Sequence, residues 1–348
     1  MKRMLDPEFL SPESMDVVGR ALSSEIERRE LLRKAGRWGG GLLLAASLGA
    51  VASSCGSKGP TAAGISTTPA TVPAKPATQP GPADLGVATG QDAGVLARKA
   101  VDAIGGMGRF VKSGNVVVVK PNASFFGGVE LATSTHPDVV AAVVSMCREA
   151  GAKRVIVMDH TLRGAGDACL GSNGIGVAVE RAGGEVLAYG AGDRGHGVEV
   201  EIPQGVAIKA ASIYPEVMSA DVVITVPRAK HHSGAGLTLG MKNFIGVLTD
   251  MSSIHNFGLH QAVADLNTLV RPDLSVIDAS VILLENGPGG PGRTRQAGTV
   301  IASADVVAAD SYACTLFEKS ASDVPYILLG ESAGLGTSDF NALRIVRV

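Results

Sequence analysis

From about residue 86 to the C-terminus, short runs of β-branched residues alternate with Ala-rich stretches at helical spacing. The β runs are apolar almost throughout, the pattern of strands covered on both faces. Four are plain: 115–120 (NVVVVK), 154–159 (RVIVMD), 221–226 (DVVITV) and 274–278 (LSVID). A fifth, 299–302, is free to run antiparallel. Helical stretches at 92–105, 137–150, 174–183, 238–248, 258–270 and 304–318 fill the connections. This alternation predicts an α/β domain with a mostly parallel sheet flanked by helices, and it excludes an all-α fold or a sandwich. Between residues 184 and 213, Gly190, Gly192, Gly195 and Gly197 break short alternating runs, predicting a small Gly-rich β-hairpin excursion from that sheet.

The N-terminal part follows other rules. Arg28 and Arg29, followed by Glu30, Leu31 and Leu32, resemble a twin-arginine export signal. The apolar run after them has the length of a signal core and is short for a membrane span. The residues Val51-Ala52-Ser53-Ser54-Cys55 resemble a lipobox whose cysteine becomes the lipidated N-terminus, with Ala52 where that pattern prefers Leu. Residues 56–85 are almost entirely Gly, Ser, Thr, Ala, Pro, Lys and Gln, too polar to offset the entropy of ordering, and read as a flexible tether. The expected organisation is therefore a signal at 1–55, a linker at 56–85 and an α/β domain at 86–348. The expected location is periplasmic or cell-surface. The partners this implies are the twin-arginine export machinery and a membrane reached through acyl chains.

Composition narrows the chemistry. A net charge of -2 with no basic cluster beyond the leader gives no footprint for a polyanion, so no nucleic-acid partner is expected. Cys55, Cys147, Cys169 and Cys314 are widely spaced and form no CxxC pair, so no zinc ribbon or iron–sulfur run is present. Cys147 and Cys314 read as small buried hydrophobes, and Cys169 as a thiol in a Gly-rich loop.

Candidate chemistry gathers at the strand ends. Open parallel sheets bind ligands beyond the carboxyl ends of their strands. The first strand ends in Lys120-Pro121-Asn122, the second in Asp159-His160, the third in Arg228-Ala229-Lys230-His231-His232 and the fourth in Asp278. Polar strand ends also arise simply from reaching solvent. Residues 230–243 read as a Gly-flexed loop before a helix, whose free N–H groups, with Lys242 and Asn243 one turn in, suit a small anionic ligand. The spacing matches neither a P-loop nor a dinucleotide fingerprint. His231, His232, His255 and His260 lie close in sequence, and with Asp159 or Asp250 these imidazoles could hold a divalent metal or act as acid and base. No strict metal motif is present, and a hydrogen-bonded structural role is the plain alternative for each.

The phrases VVVVKPNASF, THPDVVAAVVSMCREAGAKRVIVMD, VPRAKHHSGAGLTLGMKNFIGVL and AGLGTSD resemble the domain of unknown function family 362 over most of residues 95–348. The resemblance carries over onto Lys120, Pro121, Asn122, Lys230, His231, Lys242, Asn243 and the turn from Gly334 to Gly336. Many members carry a ferredoxin-like cysteine run; this chain lacks it, so a bound cluster is not expected. The family is distantly similar to nickel-cofactor lactate racemases, an analogy of fold only.

Two functional readings follow. The first is a metal- or cofactor-assisted enzyme acting on a small anionic substrate. His231, His232 and Lys230 would do the chemistry, Asp159 would orient a histidine, and Lys120, Asn122, Arg228, Lys242 and Asn243 would hold the anion. The second is a tethered protein that binds an anion or metal without turnover, or an accessory subunit of a membrane redox complex.

Overall fold

The computed structural model describes residues 81–161, 166–190, 193, 196–255 and 258–348. Arg28, Arg29, Cys55 and the expected linker up to residue 80 lie outside the described residues.

In chain order the first half comprises β1 (Leu85–Thr89), α1 (Ala93–Ala103), β2 (Val116–Pro121), α2 (Pro137–Glu149), β3 (Arg154–His160), α3 (Gly166–Ser172), α4 (Ile175–Arg181) and β4 (Glu185–Tyr189). Next come β5 (Val198–Glu201), β6 (Ala210–Ile213), α5 (Pro215–Ser219), β7 (Val222–Val226), β8 (Arg228–His232), β9 (Gly236–Thr238) and α6 (Gly240–Asn243). The last part holds α7 (Met251–Ile254), α8 (Leu259–Leu269), β10 (Leu274–Leu283), β11 (Thr294–Ser303), α9 (Val306–Cys314), α10 (Pro325–Ser332) and β12 (Ile345–Arg347).

The main sheet runs β12-β1-β11-β10-β7-β2-β3-β4, with the β8–β9 hairpin attached to β10. The pairs β7–β10, β2–β7, β2–β3 and β3–β4 are parallel, and β11 runs antiparallel to both β10 and β1. The expected mostly parallel sheet is therefore present, and the run at 299–302 belongs to the antiparallel strand β11.

Strand alternation divides the core between the two faces of the sheet. Val117, Val119, Val155, Val157, Val222 and Ile224 pack with α1 and α2 on one side. Val118, Ile156, Met158, Val223, Ile277 and Ile301 pack with the apolar residues of α8, α9 and α10 on the other. Local signals set the helix starts: Asp92 caps α1 through Val95 N, Pro137 occupies the first turn of α2, and Asp305 caps α9 through Ala308 N.

Several expectations are revised. The segment at 184–213 is not wholly an excursion, since β4 within it is a parallel edge strand of the main sheet and β5 and β6 alone form the separate hairpin. The helix expected at 238–248 is one turn of α-helix followed by a 3-10 turn, Phe244–Val247. Cys169 sits in α3 and not in a loop. Cys147 and Cys314 are free thiols buried in helices, and burial pushes each up to about 12.

Candidate functional site

Successive strands β2, β3 and β4 step away from β2 in one direction, while β7 and β10 step away in the other. The order thus reverses between β2 and β7, where Lys120 pairs with Thr225 and Pro121 with Val226. Such a switch point opens a crevice at the strand carboxyl ends. Residues Thr133 to His136 cross it: Thr135 N donates to Asn122 O, and the Thr135 hydroxyl accepts from Asn122 N and donates to Val226 O at 2.7 Å.

Lys120 is buried at these strand ends. Its Nζ meets Asp159 Oδ1 at 2.7 Å as an ion pair and donates to Asn243 Oδ1 at 2.9 Å. Burial lowers its pKa, and the Asp159 carboxylate opposes that shift. Asp159 Oδ2 accepts from Ala123 N and the Ser124 hydroxyl. Asp159 therefore serves a lysine and the β2 exit loop, not a histidine as the sequence suggested; His160 next to it pairs with the Tyr214 hydroxyl instead.

Asn243 ties the elements together. Its Nδ2 donates to Lys120 O at 2.6 Å and to the Thr225 hydroxyl, while its Oδ1 accepts from both Lys120 and Asn122 Nδ2. Asn122 Oδ1 in turn accepts from Arg228 N. The lysine and the two asparagines picked out from the sequence thus form one network.

Arg228 is fully buried. Its Nη1 lies 3.1 Å from Asp278 Oδ2 and donates to the Ser280 hydroxyl and Val281 O, and its Nε donates to Ser134 O. Asp278 also accepts from His136 N. Lys230 donates to Thr133 O and stands 4.7 Å over the Phe125 ring. Burial places its pKa well below the ordinary lysine value, helped by Lys242, Arg228 and Lys120 and opposed by Asp159.

The charges do not balance. Lys120, Arg228, Lys230 and Lys242 are all buried and act on one another through Lys230, whereas the carboxylates paired with them are Asp159 and Asp278. Arg228 Nη2 and Thr133 Oγ1 are buried without a hydrogen-bond partner. Unmet donors and excess positive charge in one buried place are costly unless an anion completes the set.

The helix N-terminus expected to receive that anion is already filled. Gly240 N and Met241 N donate to the two oxygens of Asp310, at 2.7 and 3.0 Å. Burial raises the Asp310 carboxyl to about 7. The anion-binding capacity of this region lies in the side chains.

The histidines separate. Residues 228–232 form strand β8 rather than a loop, so Lys230 and His232 share one face and His231 faces the other. His232 is buried, its Nδ1 accepts from Gly234 N and Ala235 N, and burial with Lys242 and Lys230 nearby lowers its pKa to about 3. It is a neutral imidazole that closes the β8–β9 turn. His231 Nδ1 accepts from Gly287 N, and its side chain lines a cavity of about 300 Å³ with Leu237, Arg293, Arg295 and Lys319. The ring of His255 lies 6.4 Å from that of His232, and His260 stacks on Tyr326. The proposed metal set His231, His232, His255 and His260 is not one constellation. Among the described residues no three His, Cys, Asp or Glu side chains are grouped to hold a metal.

Sequence reasoning missed Thr133, Asp310 and Gly246. A Cβ on Gly246 would come within 2.3 Å of Asp159 Oδ1 and 2.6 Å of Lys120 Cε, so the Lys120–Asp159 pair requires glycine there. The signal available was a lone glycine inside the apolar run FIGVL.

The sequence pattern described as "Domain of unknown function (DUF362)" matches residues 117–315, a span that contains this network. A "Thylakoid-associated protein" of Synechocystis sp. is 27% identical over 250 residues, covering 68% of this chain and 74% of that protein. Among solved structures, the lactate racemase apoprotein from Thermoanaerobacterium thermosaccharolyticum aligns with a TM-score of 0.44 at 9% identity, over 66% of this chain and 56% of that one. A Thermotoga maritima protein aligns with a TM-score of 0.36 at 12% identity, over 66% of this chain and 60% of that one. The chain spans less than two thirds of either solved structure.

Proposed function

This chain belongs to the family described as Domain of unknown function (DUF362), and from that premise we propose that it binds a small anionic substrate at the carboxyl ends of β2, β7 and β8 and acts on it there. The observation that carries this reading is the excess of buried cations over carboxylates, with Arg228 Nη2 and Thr133 Oγ1 left unsatisfied. Arg228, Lys230 and Lys242 hold the negative charge in a low-dielectric place where each contact is strong. Lys120, Asp159, Asn122 and Asn243 position them.

Titration calorimetry of the full chain with propionate and with phosphate tests this. Saturable binding of one of the two is expected, weakened at least about tenfold, or about 1.4 kcal/mol, in Lys230→Met. Absence of saturable binding by either anion contradicts the reading.

The same reading includes export through Arg28 and Arg29 and attachment through a lipid on Cys55. These features give a folded domain on a tether at a membrane surface. Fractionation of the native host should find the protein with membranes outside the cytoplasm, released to the soluble fraction by Cys55→Ala and retained in the cytoplasm by Arg28→Lys with Arg29→Lys. A wild-type protein found wholly in the cytoplasm removes this part of the proposal and leaves the anion site untouched.

A further inference from the structure

Lys242 differs from the other buried cations of the site. Lys120 and Arg228 each face a carboxylate, and Lys230 donates to Thr133 O and covers Phe125. Lys242 is 7% exposed, and neither a carboxylate nor a hydrogen bond is among the influences on its ammonium. The neighbouring charge that acts on it is Lys120, of the same sign, and burial together with that charge lowers it to about 8. The residues that feel Lys242 in turn are Lys230, His232 and His260, all cationic or neutral. A buried lysine without a counterion, beside other cations, is an amine held ready to act as a nucleophile.

Position supports this role. Lys242 immediately precedes Asn243, the residue that joins Lys120, Thr225 and Asn122, so its backbone is fixed at the switch point. Arg228, whose charge acts on Lys230 as that of Lys242 does, keeps Nη2 as a buried donor with no hydrogen-bond partner, which a carboxylate would complete.

Resting on the anion-binding reading above, we propose that Lys242 is the nucleophile that forms a Schiff base with a small 2-oxo acid. The Nζ lone pair attacks the carbonyl carbon and the C=O π pair moves to oxygen. Both amine protons then pass to that oxygen, which leaves as water as the C=N bond forms. No oxidant, reductant or further reactant enters the step. Above a pH of about 8 the amine is neutral and the attack is at its fastest. Below that value the neutral fraction falls about tenfold per pH unit.

Trapping tests the proposal. The full chain is incubated with glyoxylate or pyruvate and sodium borohydride, then read by intact mass and peptide mapping. One reduced adduct per chain on Lys242 is expected, forming faster with rising pH up to about 8 and level beyond it. The adduct should be absent from Lys242→Met and from Lys242→Arg, the second of which keeps the charge in case the first does not fold. Propionate, which has the carboxylate and no ketone, reads the anion site separately by calorimetry. If the wild type binds propionate and gains no adduct on Lys242, or gains adducts on exposed lysines alone, the Schiff-base inference is overturned and the anion site stands. If neither propionate nor phosphate binds and no adduct forms, both fail.

Discussion

Replacing Asp159 by alanine is expected to cost about 3–5 kcal/mol of folding stability at pH 7, because it leaves the Lys120 ammonium buried with no countercharge. Ala123 N and the Ser124 hydroxyl lose their acceptor in the same step. Against a total of about 5–15 kcal/mol for a typical domain, that is a large fraction. The sign of the pH dependence follows from Lys120. Its folded-state pKa is lowered by burial, so the folded state favours the neutral amine, and stability that is missing at low pH returns as pH rises toward the ordinary lysine value of about 10.4. With Asp159 gone the opposing attraction is lost, and the deficit of the variant should shrink between pH 7 and pH 10. Urea denaturation across that range checks it. A loss under about 1 kcal/mol with no pH dependence would mean that the pair is not what holds the β2 and β3 exits together.

The Arg228–Asp278 pair gives a second large effect with a different signature. Asp278→Ala leaves a buried guanidinium uncompensated and strips His136 N and Ser280 of their acceptor, again at about 3–5 kcal/mol. Removing both charges together, as Arg228→Met with Asp278→Leu, should recover much of that loss, since well-packed apolar residues often replace a buried pair without net cost. The double variant should nonetheless lose anion binding, because Arg228 Nη2 is gone. Recovery of stability with binding intact would show that Arg228 is structural and outside the site.

Much of the fold was readable because its central strands are apolar on both faces. The runs at 115–120, 154–159, 221–226 and 274–278 correspond to β2, β3, β7 and the first half of β10. β1 and β12 at the edge were not read. β1 is LGVAT, short and containing a glycine, and it is fixed by pairing with β11 and with the last residues of the chain, contacts no local pattern reveals. The hairpin β8–β9 was read as a loop because Arg-Ala-Lys-His-His lacks strand composition. It is a strand because β10 supplies the partner edge and a buried site supplies the reason for its charges.

The site divides along the same line. Lys120, Asn122, Arg228 and Lys230 were singled out from their places at strand ends, and Lys242 and Asn243 from their place one turn into the helix that follows. Their partners were not, because those lie far off in sequence: Asn243 with Lys120 across 123 residues, Arg228 with Ser280 across 52. The histidines were misjudged because closeness in sequence says nothing of which face of β8 a side chain takes, and His231 and His232 take opposite ones.

The most direct test of the central claim is an anomalous difference map from crystals of the protein soaked in selenate, a small divalent anion that scatters strongly. The account predicts a peak at the carboxyl ends of β2 and β7, within hydrogen-bonding distance of at least one of Arg228 Nη2, Lys230 Nζ and Lys242 Nζ. Peaks at surface lysines alone, with none in the crevice, would contradict it.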